Sequence, residues 1–224
     1  MNVLVINPNT TESVTEKLVE QACLFLPSEF SVRGITARHG PAVVRSQVGV
    51  TQAHDAIRTM LPSIECDVDA IVLGISLDIG LSDLRQFARV PVFGLSESTL
   101  RVAAANRRQV IALTLGSHML ALYADMSKRY GYSGEQVHWY AIDDQLAFSA
   151  DGPNDSCREV FIERAIELKQ QHPSAAFTFV GALLAGLGKY ATKRLSNTDL
   201  VEPMQAVCME LLESLNAKPG GVTP

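Results

Sequence analysis

Short apolar runs alternate with longer amphipathic stretches along the whole chain. Compact apolar runs are typical of buried parallel strands, whereas apolar positions three or four residues apart are typical of helices. Strands are predicted at residues 3–6, 31–35, 70–73, 92–94, 110–113, 137–141 and 178–181. Helices are predicted at residues 12–25, 48–61, 82–89, 96–105, 117–130, 156–171 and 201–215. This alternation predicts an α/β fold with parallel sheets flanked by helices.

The composition fits a globular enzyme, because 47% of the 224 residues are apolar and 19% are charged. A net charge of −5 argues against nucleic acid as a partner. No apolar run approaches the ~20 residues that span a bilayer, and no basic segment precedes the first strand. We therefore expect a cytoplasmic protein that takes a small-molecule substrate, contacts no membrane and forms a homo-oligomer.

The four cysteines carry no sign of a metal site or a redox motif. None has C-x-x-C spacing, and no Cys/His cluster has the spacing of metal ligands. We expect reduced thiols, no metal and no cofactor.

The first strand runs directly into a turn that contains Asn7, Pro8, Asn9, Thr10 and Thr11. Pro8 ends the strand, and the polar residues after it are predicted to cap the following helix. A turn of this kind directs hydroxyls, an amide and backbone N–H groups at one point, where a carboxylate or carbonyl oxygen can bind. Asn9 and Thr10 are therefore candidate ligand contacts, and an ordinary helix cap is the alternative.

Four motifs resemble, in order, those of the Asp/Glu/hydantoin racemase family. They are residues 6–11 (INPNTT), 40–46 (GPAVVRS), 78–81 (DIGL) and 91–97 (PVFGLSE). The similarity continues to residues 201–203 and so covers nearly the whole chain. The resemblance implies two similar α/β lobes, each a parallel sheet flanked by helices, with the active site in the cleft between them. The first lobe would hold residues 1–96 and the C-terminal helix, 199–216, and the second would hold residues 97–198.

The resemblance also implies two catalytic cysteines, one on each side of the substrate, and both are absent. The first position falls on Ile75, or on Gly74 if the register slips by one residue. The second falls on Ala182. Neither an isoleucine nor an alanine side chain can carry a proton, so the two-thiol mechanism is not expected here.

Two candidate catalytic residues follow the third predicted strand. Ser76 is expected to donate a hydrogen bond to a ligand anion, as hydroxyls do in the similar arylmalonate decarboxylase branch of the superfamily. The alternatives for Ser76 are a nucleophile and a structural turn. Asp78 is expected to cap the helix at 82–89, and it can act as a base for water if burial raises its pKa.

A second group of candidates follows the fifth predicted strand. Thr114 matches a family threonine that lines the site, and Ser117 lies in the same turn. His118 is the preferred general base, because it is predicted at a helix start, where the dipole favours the neutral imidazole. His39 is a weaker alternative for that base.

The remaining candidates are expected to bind the substrate from its other sides. Arg45 can form a fork with a substrate carboxylate. Gly181 and Ala182 are expected to form the far wall of the site through their backbone N–H groups.

The sequence therefore predicts an enzyme of amino acid metabolism that acts on a small five-membered heterocycle or a small carboxylate. Hydantoin-like and aminothiazoline-carboxylate-like compounds fit this description. Because the paired thiols are absent, ring-opening hydrolysis by an activated water is the main prediction. The alternatives are a racemase or isomerase that uses other bases, such as His118, and an inactive homologue that binds a ligand.

Overall fold

The computed structural model describes residues 1–64, 67–142, 154–195 and 199–216. Its strands are β1 (Asn2–Asn7), β2 (Ser31–Thr36), β3 (Ala70–Leu73), β4 (Val92–Gly94), β5 (Val110–Leu115), β6 (Val137–Ile142), β7 (Ala176–Phe179) and β8 (Asp199–Leu200). Its helices are α1 (Glu12–Phe25), α2 (Gln47–Met60), α3 (Leu81–Phe87), α4 (Leu95–Ala103), α5 (Leu120–Arg129), α6 (Asp155–Gln171), α7 (Gly188–Ala191) and α8 (Pro203–Asn216). Short 3₁₀ turns occupy Leu61–Ser63, Ala105–Arg107, Ser117–Met119 and Ala182–Leu184.

The strands form two parallel sheets with the same internal order. The first sheet runs β2-β1-β3-β4 and the second runs β6-β5-β7-β8. Each sheet and its helices form one lobe, so the predicted fold class, two α/β lobes built on parallel sheets, is confirmed.

Strand β1 explains why the apolar runs are continuous. Val3 and Val5 pack into one buried cluster, which includes residues of α1 and α8. Leu4 and Ile6 pack into another, which includes residues of α2 and β3. Successive side chains of a strand point to opposite faces, and here both faces are covered, so each position is apolar.

Helix α8 returns from the end of the second sheet to the first lobe, where it contacts α1 and α4. The predicted boundary between the lobes, at residues 96 and 97, falls inside α4 and stays a prediction. Within the described ranges, no helix is both long enough and apolar enough to cross a membrane.

Several elements differ from the predicted ones, among them the short helix α7, which was not predicted. Strand β7 ends at Phe179, so Gly181 lies beyond the sheet in a turn. The helix predicted from residue 117 is divided into a 3₁₀ turn, Ser117–Met119, and α5. Strand β8 was not predicted, because a strand of two residues is too short for any repeating pattern.

Candidate active site

A pocket lies at the carboxyl ends of strands from both sheets, where ligands generally bind in parallel α/β folds. Its volume is about 70 Å³, whereas one water needs roughly 10–15 Å³ by this kind of measure. The pocket therefore has room for a small ligand. It is lined by Asn9, Val14, Val43, Val44, Arg45, Ile75, Ser76, Thr114, Leu115, His118, Met119, Tyr123, Gly181, Ala182 and Leu183.

The two positions where the resemblance implies cysteines both line this pocket, one from each lobe. They are Ile75, which follows β3, and Ala182, which follows β7. Gly74 does not compete for the first position, because a Cβ atom there would lie 2.7 Å from Cδ1 of Leu18 and would point into the first lobe. Aliphatic side chains thus stand where the family is expected to carry thiols.

The turn after β1 holds a neighbouring loop in place. Thr11 precedes α1, yet its side chain makes no cap and instead donates a hydrogen bond to the carbonyl oxygen of Ala42, at 2.8 Å. The backbone N–H of Thr10 donates to the carbonyl oxygen of Pro41, at 3.0 Å. Asn9 lines the pocket, and its Oδ1 accepts the backbone N–H of Thr11. Thr10, expected to bind the ligand, lies outside the lining, so the turn presents Asn9 alone.

A cluster of three hydroxyl groups forms one wall of the pocket. The Oγ of Ser76 and the hydroxyl oxygen of Tyr123 lie 2.8 Å apart, and the Tyr123 hydroxyl also hydrogen-bonds Thr114. The buried Tyr123 ring stacks on Trp139 with 4.5 Å between the ring centroids. Burial raises the pKa of Tyr123 above its ordinary value, so the phenol stays protonated and can donate. Sequence reasoning identified Ser76 and Thr114 but missed Tyr123, because its position in α5 follows the ordinary helical pattern.

The structure places Asp78 outside the pocket lining, so the prediction that it acts there as a base is not retained. Its carboxylate accepts the backbone N–H groups of Ser96, at 3.2 Å, and Glu97, at 2.7 Å, and the hydroxyl of Tyr130, at 2.8 Å. It therefore caps α4, not the helix at 82–89. Burial raises the pKa of Asp78 to about 7 against the lowering effect of these bonds. The carboxylate lies against Gly94, since a Cβ atom at position 94 would lie 2.7 Å from Cγ of Asp78.

The basic side chains in the described lining are those of His118 and Arg45, and both are exposed. His118 lies in the 3₁₀ turn ahead of α5, not in the first turn of that helix as predicted. Ser117, in the same turn, is exposed and lies outside the lining. His39 lines a separate groove beside α2, so it is no longer an alternative base for this pocket.

The whole chain resembles known racemases. A family model described as Asp/Glu/Hydantoin racemase matches residues 3–211. The hydantoin racemase of Paenarthrobacter aurescens is 26% identical over 223 residues, which cover 97% of this chain and 92% of that protein. The hydantoin racemase of Rhizobium meliloti is 26% identical over 132 residues, 58% of this chain and 55% of that protein. The crystal structure of an allantoin racemase from Pseudomonas fluorescens matches with a TM-score of 0.82 at 20% identity and 100% coverage of both chains.

These findings correct the predicted activity. Ring-opening hydrolysis is wrong, because the matching family and these named relatives are racemases, which are isomerases. The site agrees with the correction. The Asp78 carboxylate, which was expected to activate water, instead accepts hydrogen bonds from backbone N–H groups of α4. Among the described residues, no three His, Cys, Asp or Glu side chains are grouped so that they could hold a metal ion.

Proposed function

This chain belongs to the Asp/Glu/hydantoin racemase family, and we propose that it is an isomerase that inverts a stereocentre next to a carbonyl group. Its substrate is a small cyclic amide or amidine, or a small carboxylate. The observation that carries the proposal is the pocket itself, which receives Ile75 and Ala182 from opposite lobes together with a potential base and several hydroxyl groups.

The walls of the pocket suit a planar ring with carbonyl oxygens. The hydroxyls of Ser76, Thr114 and Tyr123 are hydrogen-bonded to one another on one side, which leaves one of their protons to be donated to a ligand. The amide of Asn9 has its oxygen engaged by the turn, which leaves its NH₂ group to meet a ligand. Donors fixed in this way stabilise negative charge that develops on an oxygen during reaction.

In the reaction we propose, His118 takes a proton from the carbon beside the carbonyl group. The electron pair of the C–H bond moves into the carbonyl, and the NH₂ group of Asn9 stabilises the resulting enolate oxygen. The Tyr123–Ser76 pair then returns a proton to the other face of the carbon, and water carries the proton from the imidazolium to the phenolate. Because burial raises the pKa of Tyr123, the phenolate is costly, so we expect slower turnover than a two-thiol site gives.

One observation favours a second candidate function, a homologue that binds its ligand without turning it over. Both positions where the resemblance implies proton-transferring groups carry aliphatic side chains, Ile75 and Ala182. The pocket and its hydrogen-bond donors are present with these side chains in place, which supports ligand binding without proton transfer.

One experiment separates the two candidates. Single enantiomers of hydantoins, allantoin and aminothiazoline carboxylate are incubated with the protein in deuterated water, and NMR and circular dichroism follow the stereocentre. Deuterium incorporation with loss of optical activity supports the isomerase. Calorimetric binding of a compound that neither exchanges nor racemises supports the ligand-binding homologue. If no tested compound binds or exchanges, both the isomerase and the ligand-binding homologue are contradicted.

A further inference from the structure

Helix α5 is bonded to the first lobe at two points. The hydroxyl of Tyr123 lies 2.8 Å from Oγ of Ser76, and the hydroxyl of Tyr130, the residue that follows the helix, lies 2.8 Å from Oδ2 of Asp78. The two tyrosines are seven residues apart, which is about two helical turns, so they lie on one face. Their partners are two residues apart in the loop after β3. The second lobe thus forms two hydrogen bonds, each through a tyrosine hydroxyl, to one short loop of the first lobe.

The two points differ in rigidity. Asp78 has a left-handed backbone with φ of 50°, and its carboxylate is fixed by two N–H groups of α4 and by contact with Gly94. Ser76 is half-buried at the pocket, and its side chain partner is the Tyr123 hydroxyl. We therefore call the hydrogen bond between Tyr130 and Asp78 the anchor. The hydrogen bond between Tyr123 and Ser76 is the one that a ligand in the pocket would contact.

We infer that Tyr130 is a positioning residue, whose bond to Asp78 holds α5 across the two lobes and so keeps the Tyr123 hydroxyl against Ser76 in the pocket. The inference deepens the proposed function, because it names what aligns the proton donor. It also stands apart from that function, since the alignment can be measured without any turnover.

The charged and titratable groups around the anchor come from three helices, α3, α4 and α5. Helix α5 contributes Tyr123, which interacts with Asp78, and Arg129, which interacts with Tyr130. Glu97 of α4 raises the pKa of Asp78, whereas the hydrogen bond from Tyr130 lowers it. Arg85 of α3 pairs with Glu97 and interacts with both Asp78 and Tyr130. A charged carboxylate accepts a stronger hydrogen bond than a neutral one. The Tyr130 bond should therefore tighten as the pH rises through the pKa of Asp78, about 7.

The protein contains its own reporter of this alignment. Trp139 is the single tryptophan of the chain, and it stacks on the Tyr123 ring. The indole N–H of Trp139 donates to Oγ of Ser127, which lies in α5 together with Tyr123, at 2.9 Å. A shift of α5 that moves Tyr123 away from Ser76 changes the surroundings of Trp139, so fluorescence quenching by acrylamide measures it directly.

The test compares Tyr130→Phe with Tyr132→Phe in the full-length protein. Tyr132 packs against the same core and makes no hydrogen bond to Asp78. We expect Tyr130→Phe to increase quenching of Trp139 and to weaken calorimetric binding of hydantoin, the probe ligand, by roughly tenfold, as for loss of one hydrogen bond to a charged group. Tyr132→Phe should leave both values near those of the wild type.

The pH dependence of Trp139 quenching is a measurement that would not change if Tyr130 only stabilised the fold. The pH series is run on a His138→Gln background, which removes the imidazole beside Trp139 in the sequence. Quenching should fall as the pH rises through about 7, the pKa of Asp78. Tyr130→Phe should move this midpoint upward, because the bond that lowers the pKa is lost. If Tyr130→Phe does not fold, Asp78→Asn replaces it, and the midpoint should disappear.

The results are read independently of activity. Equal quenching and equal midpoints in Tyr130→Phe and Tyr132→Phe would overturn the inference. Failure of the proposed function has a different signature, since every tested compound would keep its C–H bond in deuterated water while the quenching differences remained.

Discussion

The two lobes deliver matching residues to the pocket from matching strands. In each sheet the loop after the third strand in sequence, β3 or β7, contains a glycine followed by an aliphatic residue that lines the pocket. The glycine comes directly after β3, whereas Val180 lies between β7 and its glycine. In the first lobe these residues are Gly74 and Ile75, and in the second they are Gly181 and Ala182. The repeated strand order therefore fixes where one residue from each lobe meets the pocket, whereas the side chain at that point decides whether that position can transfer a proton.

The lobes differ in what supports these positions. In the first lobe, Asp78 lies in the same loop as Ile75 and caps α4. In the second lobe, the carboxylate comes from Glu202, beyond β8, and accepts the backbone N–H of Gly188 at 2.6 Å. One wall is thus stabilised from within its own loop and the other from the segment that leads into α8. Similar positions do not require similar supports.

The largest effect should come from restoring both thiols. In Ile75→Cys/Ala182→Cys, we expect racemisation of single hydantoin enantiomers to rise by about 10⁴, because each positioned acid–base group contributes roughly 10²–10⁴. Polarimetry measures the rate. Ile75→Ser/Ala182→Ser is the matched control, since hydroxyls of similar size cannot supply a thiolate. An equal gain in both double variants would mean that pocket size, not thiol chemistry, limits this site.

A smaller effect is expected from the proposed base. His118→Asn should lower the rate of deuterium exchange by ~10², the low end of the range for a positioned base, because this side chain is exposed. Exchange is followed by NMR with a compound that the wild type turns over. His39→Asn is the control, because His39 lines a different groove. Wild-type exchange in His118→Asn would remove histidine from the mechanism.

Asp78→Asn should act on stability and on its pH dependence. We expect a loss of about 1–3 kcal/mol in the free energy of unfolding, because an amide NH₂ would replace an oxygen that faces donors. Since burial raises the pKa of Asp78 to about 7, the folded state holds this proton more tightly than the unfolded chain does. The stability from this group is full below the ordinary pKa of ~3.9 and is lost as the pH rises through 7. Asp78→Asn removes that decline.

Urea unfolding between ~pH 4 and ~pH 8 measures this dependence. Asp83→Asn is the control, because Arg58 lowers the pKa of Asp83. The contribution of Asp83 is therefore complete above its ordinary pKa of ~3.9, and this substitution should leave the decline of stability between ~pH 5 and ~pH 8 unchanged. If the free energy of unfolding of the wild type rose with pH relative to that of Asp78→Asn, Asp78 would not keep its proton in the folded state.

The smallest effects should come from the two expected contacts that lie outside the pocket lining. Thr10→Ala and Ser117→Ala should change ligand affinity by less than about 0.5 kcal/mol, as substitutions away from a site usually do. Calorimetry with hydantoin measures the change, and Ser76→Ala provides the comparison from inside the lining. A large loss in Thr10→Ala would show that the turn after β1 contacts the ligand more extensively than its backbone bond to Pro41 indicates.

The sequence was sufficient for the fold because apolar runs and amphipathic stretches record which faces are buried. It also singled out Asn9, Ser76, Thr114 and His118, which line one pocket in the structure, since polar residues after parallel strands gather at one edge. Their roles stay predictions. It could not locate Tyr123, because an aromatic residue on a helix has the same pattern whether it packs in a core or lines a pocket. It assigned Asp78 to the wrong helix, because the N–H groups it caps are 18 and 19 residues away.

The predicted chemistry failed for a different reason. Isoleucine and alanine occupy the two positions where the resemblance implies thiols, Ile75 and Ala182, yet an absence names no replacement reaction. The cytoplasmic location and the homo-oligomeric state stay predictions.

The contact between Gly94 and Asp78 makes the order of mutations matter. Any side chain at position 94 meets the carboxylate at 2.7–2.9 Å, so Gly94→Ala should be rejected while Asp78 is present. Shortening residue 78 first opens that space but removes the cap of α4. Gly94→Ala should therefore cost much less once residue 78 has been shortened, although the cap of α4 is then lost with or without the change at position 94. A library that varies both positions together should recover combinations that scanning one position at a time discards.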